Sequence, residues 1–69
     1  MIAERIKMLR ENKQLSQTAL SKRLGITRSS INAWEMGIST PSTTYLVELS
    51  QIFHVSIDYL LGLDKNAVS

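Results

Sequence analysis

The sequence predicts an all-α domain of five short helices. Three observations predict it. Apolar residues recur at spacings of three and four, and no stretch sustains the alternation of a strand. Ser16, Thr27, Ser42 and Ser56 each stand just ahead of such a stripe, where a hydroxyl caps a helix N-terminus. Gly25, Gly37 and Gly62 stand just behind one, where a helix needs a left-handed residue or a stop.

Ile2, Ile6 and Leu9 mark the inner face of a first helix over about residues 2–13, closed by Asn12-Lys13-Gln14. Ser16 opens a second helix that runs to Leu24, with Leu20 and Leu24 facing inward, and Gly25 ends it. Thr27 opens a third, Arg28 to Met36, with Ile31 and Trp34 inward, and Gly37 stops it. Residues 38–42, Ile-Ser-Thr-Pro-Ser, read as a loop. Ser42 caps a fourth helix, in which Leu46, Leu49 and Phe53 share a face with Ile52 beside them. Ser56 caps a fifth, with Asp58 in its first turn, where the helix dipole favours an anion. Ile57, Leu60 and Leu61 are its inward residues. The domain is expected over residues 1–62, and residues 63–69 are expected to form a flexible tail.

Sixty-nine residues, 43% hydrophobic and 20% charged, make one small domain with a thin core. The absence of cysteine excludes disulfides and thiolate metal sites, and His54 alone cannot build a zinc cluster. No apolar run approaches the roughly 20 residues of a transmembrane helix. Met1 to Arg10 lacks the apolar core of a signal peptide. These features predict a soluble, cytoplasmic protein with no cofactor and no membrane partner. Charge is uneven. Residues 1–35 hold seven cations against three acids, a balance of +4, and residues 36–69 hold one against three, a balance of −2. A basic half beside an acidic half suggests a face that meets a polyanion.

The spacing around Gly25 carries the most information. Two short helices joined by a glycine-containing turn make a helix-turn-helix, here residues 16–37. Ile26 would plug the angle between the helices, and Ser21 is small enough for their closest approach. The outward face of the third helix is Arg28, Ser29, Asn32 and Ala33, with Ser30 at its edge. None is acidic, and Glu35 points another way. Arg pairs with guanine, Asn with adenine, Ser with either, and Ala touches a thymine methyl. Ser16 and Gln17 begin the second helix, where free N–H groups suit phosphate. A plain helical hairpin with a polar outer face fits the same residues.

The run Leu15-Ser16-Gln17, Leu20-Ser21, Leu24-Gly25-Ile26-Thr27, Ser30, Ile31, Trp34-Glu35, Gly37 and Pro41 resembles the phage repressor/Cro-type helix-turn-helix family, the XRE family. Leu46, Leu49, Phe53, Val55-Ser56-Ile57 and Leu60-Leu61-Gly62 extend the resemblance, which covers about residues 2–62. It implies a five-helix, lambda-repressor-like domain that regulates transcription, binding as a homodimer to a near-palindromic operator in double-stranded DNA. It implies base reading by Arg28, Ser29, Asn32 and Ala33. It implies phosphate contacts by Ser16, Gln17, Thr27 and Ser30, with Gln17 also bracing the recognition helix. It further implies a partly buried ion pair between Arg10 and Glu35.

Three positions depart from the family pattern. Ser21 replaces the usual alanine. His54 replaces a frequent glycine, so a non-glycine is expected at positive φ. The loop 38–42 lacks the family's lysine or arginine. Trp34 reads as core, Met1, Met8 and Met36 as gap-fillers, and Tyr45, Ile52 and Tyr59 as candidates for a dimer surface. The rival reading is an antitoxin or other module that binds a partner protein. An enzyme is disfavoured, because the outward face of the third helix offers no convergent titratable groups.

Overall fold

The computed structural model describes residues 2–63. Five helices follow in order: α1 (Ile2–Asn12), α2 (Gln17–Leu24), α3 (Arg28–Glu35), α4 (Thr43–Phe53) and α5 (Ile57–Leu61). There is no strand among the described residues. Helix α2 packs on α3, α1 on α3 and α5, and α4 on α5. The inner stripes meet in one cluster of Ile6, Leu20, Leu24, Ile31, Trp34, Leu49, Phe53 and Leu60. Ile26 and Tyr45 lean on its edge, with the Tyr45 and Trp34 rings 5.6 Å apart. Ile57 and Leu61 are only half-buried, so α5 contributes chiefly Leu60 to the core.

Side chains start three of these helices. The hydroxyl oxygens of Ser16, Thr27 and Ser56 accept the backbone N–H groups of Ala19, Ser30 and Tyr59 at 3.0, 3.3 and 2.9 Å. Each satisfies a donor that the helix itself leaves free. Ser42 differs from expectation. Its backbone has the cap conformation, φ −67° and ψ 168°, yet its hydroxyl makes no cap bond.

Helix ends also refine the sequence reading. Helix α1 stops at Asn12, and Gln14 takes the left-handed conformation at φ 58°, letting the Leu15 N–H reach the Arg10 carbonyl at 3.0 Å. No glycine is present there, so an L-residue bears the left-handed strain. Helix α3 ends at Glu35, with Met36 as its cap and Gly37 at φ 76°. His54 ends α4 at φ 57°, as its replacement of glycine predicts. Met8 and Met36 do not fill gaps: they are 40% and 65% exposed, because each lies off the buried stripe of its segment. Met1 and residues 64–69, most of the expected tail, lie outside the described residues. A staple that spacing did not reveal joins α1 to α5. Arg5 donates from Nη1 to the Tyr59 carbonyl at 2.7 Å and lies 4.2 Å from the centre of the Tyr59 ring.

The turn between α2 and α3 depends on Gly25 at φ 72°, ψ 32°. A Cβ there would meet nothing within 4 Å, so the requirement is conformational and not steric crowding. Gly25→Ala should therefore destabilise by about 1–2 kcal/mol, the left-handed penalty of an L-residue. Gly25→Asn should cost less. Urea unfolding of the two variants measures both, and equal costs would contradict a purely conformational role.

Candidate nucleic-acid interface

Helix α3 buries Ile31 and Trp34 on one side. Residues 28, 29, 32 and 33 then lie together on the other side, since positions four apart stack along a helix. Arg28 and Ser29 are exposed, while Asn32 and Ala33 are half-buried. Ser16 and Thr27 are exposed at the starts of α2 and α3, and Gln17 and Ser30 are half-buried beside them. The Thr27 and Ser30 hydroxyls are 3.1 Å apart. An open groove of about 450 Å³ runs between α3 and the following loop. Ser29, Ser39, Thr40 and Ser42 offer hydroxyls along it, with Trp34 and Tyr45 among its apolar lining. No charged side chain lines it.

Beneath this face lies a polar chain that ties three helices together. Arg10 donates from Nε to Glu35 Oε2 at 2.6 Å and from Nη2 to Glu35 Oε1 at 3.0 Å. Its Nη1 donates to the Leu15 carbonyl at 2.8 Å. The two charged side chains are 11% and 4% exposed. Gln17 Nε2 donates to Glu35 Oε1 at 3.1 Å and to Asn32 Oδ1 at 3.3 Å. A carboxylate only accepts, so Gln17 must turn its NH2 group toward Glu35. That orientation fixes Asn32 in turn, whose oxygen must face Gln17 and whose Nδ2 donates to Met36 Sδ at 3.3 Å. Both Gln17 amide hydrogens thus have partners within the chain. A phosphate at the start of α2 would meet the free backbone N–H groups there.

The Glu35 carboxyl is drawn in two directions. Burial raises its pKa, but hydrogen bonds from Arg10 and Gln17, with the charges of Arg10 and Lys7, outweigh burial and hold it below the ordinary glutamate range. The hydrogen bond to Glu35 raises the Arg10 guanidinium in return. The resemblance implied that Gln17 braces α3, and Glu35 and Asn32 are its partners there; sequence reasoning named neither partner and missed the link from Asn32 to Met36. Gln17 is 18 and 15 positions from Glu35 and Asn32, and no local pattern encodes their meeting. Among the described residues no group of three His, Cys, Asp or Glu could hold a metal, and no helix is long and apolar enough to cross a membrane.

Residues 6–60 match the family model described as helix-turn-helix. The uncharacterized HTH-type transcriptional regulator YqaE of Bacillus subtilis is 39% identical over 66 residues, spanning 96% of this chain and 57% of its own length. Antitoxin PezA of Streptococcus pneumoniae is 37% identical over 65 residues, 94% of this chain and 41% of that protein. The chain thus spans little more than half the length of YqaE and less than half that of PezA. Among solved structures, the P22 c2 repressor protein in complex with synthetic operator 9T superimposes with a TM-score of 0.86 at 34% identity, covering 93% of this chain and 97% of that one.

Removing the Glu35 charge tests the polar chain. Glu35→Gln should destabilise the domain at neutral pH by about 3 kcal/mol, the lower range for breaking a shielded ion pair. The folded carboxyl titrates below its unfolded value, so its contribution is complete above the ordinary glutamate pKa of about 4.3 and disappears as pH falls through the lower folded value. The stability gap between parent and variant should therefore be wide at neutral pH and narrow on acidification. Urea unfolding across that range reads the gap, and a pH-independent gap would refute the assignment.

Proposed function

The chain belongs to the helix-turn-helix family, and we propose that it is a sequence-specific, double-stranded-DNA-binding transcriptional regulator, a repressor that acts by occupying its operator. One observation carries the reading: α3 presents Arg28, Ser29, Asn32 and Ala33 on its open side, while its one acid, Glu35, is turned away and tied to Arg10. An unmatched carboxylate on that side would repel phosphate and cancel the attraction of Arg28. The same surface offers what a major groove requires, with a bidentate cation, an amide, a hydroxyl and a methyl along one helix face.

Phosphates would be held by the starts of α2 and α3, through backbone N–H groups of α2 and the hydroxyls of Ser16, Thr27 and Ser30. Gln17 serves mainly as the brace between Glu35 and Asn32 in this reading. The loop 38–42 carries no cation, so its contacts would be hydroxyl and backbone donors, which position the duplex without adding a charge. The protein acts in the cytoplasm as a homodimer, makes and breaks no covalent bond, and needs no cofactor. Selection of bound sequences from a random duplex library tests this reading. It should yield a near-palindrome with half-sites about 10 base pairs apart. A second reading, binding of a partner protein as an antitoxin, draws on the similarity to PezA. Recovery of no enriched sequence would favour it.

Arg28 is the long cation at the exposed start of α3. Arg28→Ala should cost about 1–3 kcal/mol of binding free energy and relax specificity mainly at one position per half-site. Competition binding with singly substituted operators measures this, and a uniform loss across all sequences would reassign Arg28 to phosphate.

A further inference from the structure

Met36 is 65% exposed, yet its sulfur is not idle. It accepts a hydrogen bond from Asn32 Nδ2 at 3.3 Å, while Gln17 Nε2 donates to Asn32 Oδ1 at 3.3 Å. The Asn32 amide is therefore held at both ends. We propose that Met36 is a positioning residue for base recognition, which holds the Asn32 amide in place for reading adenine. The proposal rests on the DNA-binding function above and names a specificity role beyond the four outward residues.

Hydrogen-bond capacity supports it. A side-chain amide carries two N–H donors and an oxygen with two lone pairs. Met36 takes one donor and Gln17 one lone pair, so one donor and one lone pair remain for a base. Adenine asks for one of each. The hold thus restricts the side chain without exhausting it. Restricting a rotamer before binding lowers the ordering cost at the interface. Sulfur suits the task because it is a weak acceptor that gives way without a large penalty if the amide must adjust. The position also fits, since residues 32 and 36 are four apart and adjoin on the helix surface. Helix α3 itself ends at Glu35, and Met36 keeps φ −88° and ψ −5°, which continues the helical path far enough for the side chain to reach back.

Met36→Leu tests the proposal, since it preserves size and apolarity and removes the acceptor. In the free protein, the side-chain amide signals of Asn32 in a 1H–15N spectrum should shift while the melting temperature holds. On DNA, the ratio of affinities for the selected operator and for duplexes altered at one base pair should fall about two- to fivefold, the effect of one weak hydrogen bond. The fall should be confined to the position where Asn32→Ala loses discrimination, and in an Asn32→Ala background Met36→Leu should add nothing. Unshifted Asn32 amide signals would overturn the proposal without reference to DNA. An unchanged ratio, or an equal loss at every position, would also overturn it. If the parent protein itself selects no sequence, the DNA-binding reading fails and the positioning role fails with it, whatever the spectra show.

Discussion

The pair of charges between Arg10 and Glu35 sets the arrangement on which the rest of the domain depends. Glu35 occupies the last turn of α3, where the helix dipole disfavours an anion, and burial disfavours its charge further. Two adverse effects act on one carboxylate, and its pKa still falls. The compensation comes from Arg10, whose fork matches both carboxylate oxygens, and from Gln17. The same guanidinium bonds the Leu15 carbonyl just ahead of α2. One side chain therefore connects the exit of α1, the approach to α2 and the end of α3. An eight-residue helix such as α3 is unstable alone, so its place is set by what grips it.

This arrangement explains how a small core supports a defined surface. Ile31 and Trp34 seat α3 from below, and the Arg10–Glu35–Gln17 chain fixes its rotation against α2 from the side. Hydrophobic contact alone is tolerant of small rotations, whereas a two-pronged charged contact is directional. The outward residues inherit that directionality through the link from Gln17 to Asn32. The family resemblance, and not residue spacing, pointed to Arg10 and Glu35. Twenty-five positions separate them, and no periodic pattern relates one helix's end to another's interior.

What could be read from the sequence was local. Ser16, Thr27 and Ser56 cap the N–H three residues onward, a relation written in neighbouring letters. Gly25 and Gly62 turn left-handed because no Cβ opposes it, and the stripes through Leu20, Ile31, Leu49 and Leu60 reach the core as their periodicity requires. The unread parts depend on relations between distant segments or on choices among similar residues. Gln14 takes the left-handed turn although Asn12, a residue type that enters that region more readily, stands two positions earlier. Ser42 has the letter of a cap without the bond. Met36 looks apolar in the sequence, but the end of α3 carries it out of the core. The outward face was legible as a set of residues, whereas its bracing required the angle between α2 and α3.

The contact between Arg5 and Tyr59 bears on how the chain is made. The two residues are 54 positions apart, and α1 packs chiefly on α3 and α5. A ribosome adds about 5–20 residues per second, so roughly 3–10 seconds separate the synthesis of Arg5 from that of Tyr59. During that interval α2 and α3 can already pair, because the turn at Gly25 makes them neighbours. Helix α1 is synthesised first but completes its contacts last. Its contacts with α3 can form earlier, but those with α5 wait until the far end of the domain has left the exit tunnel.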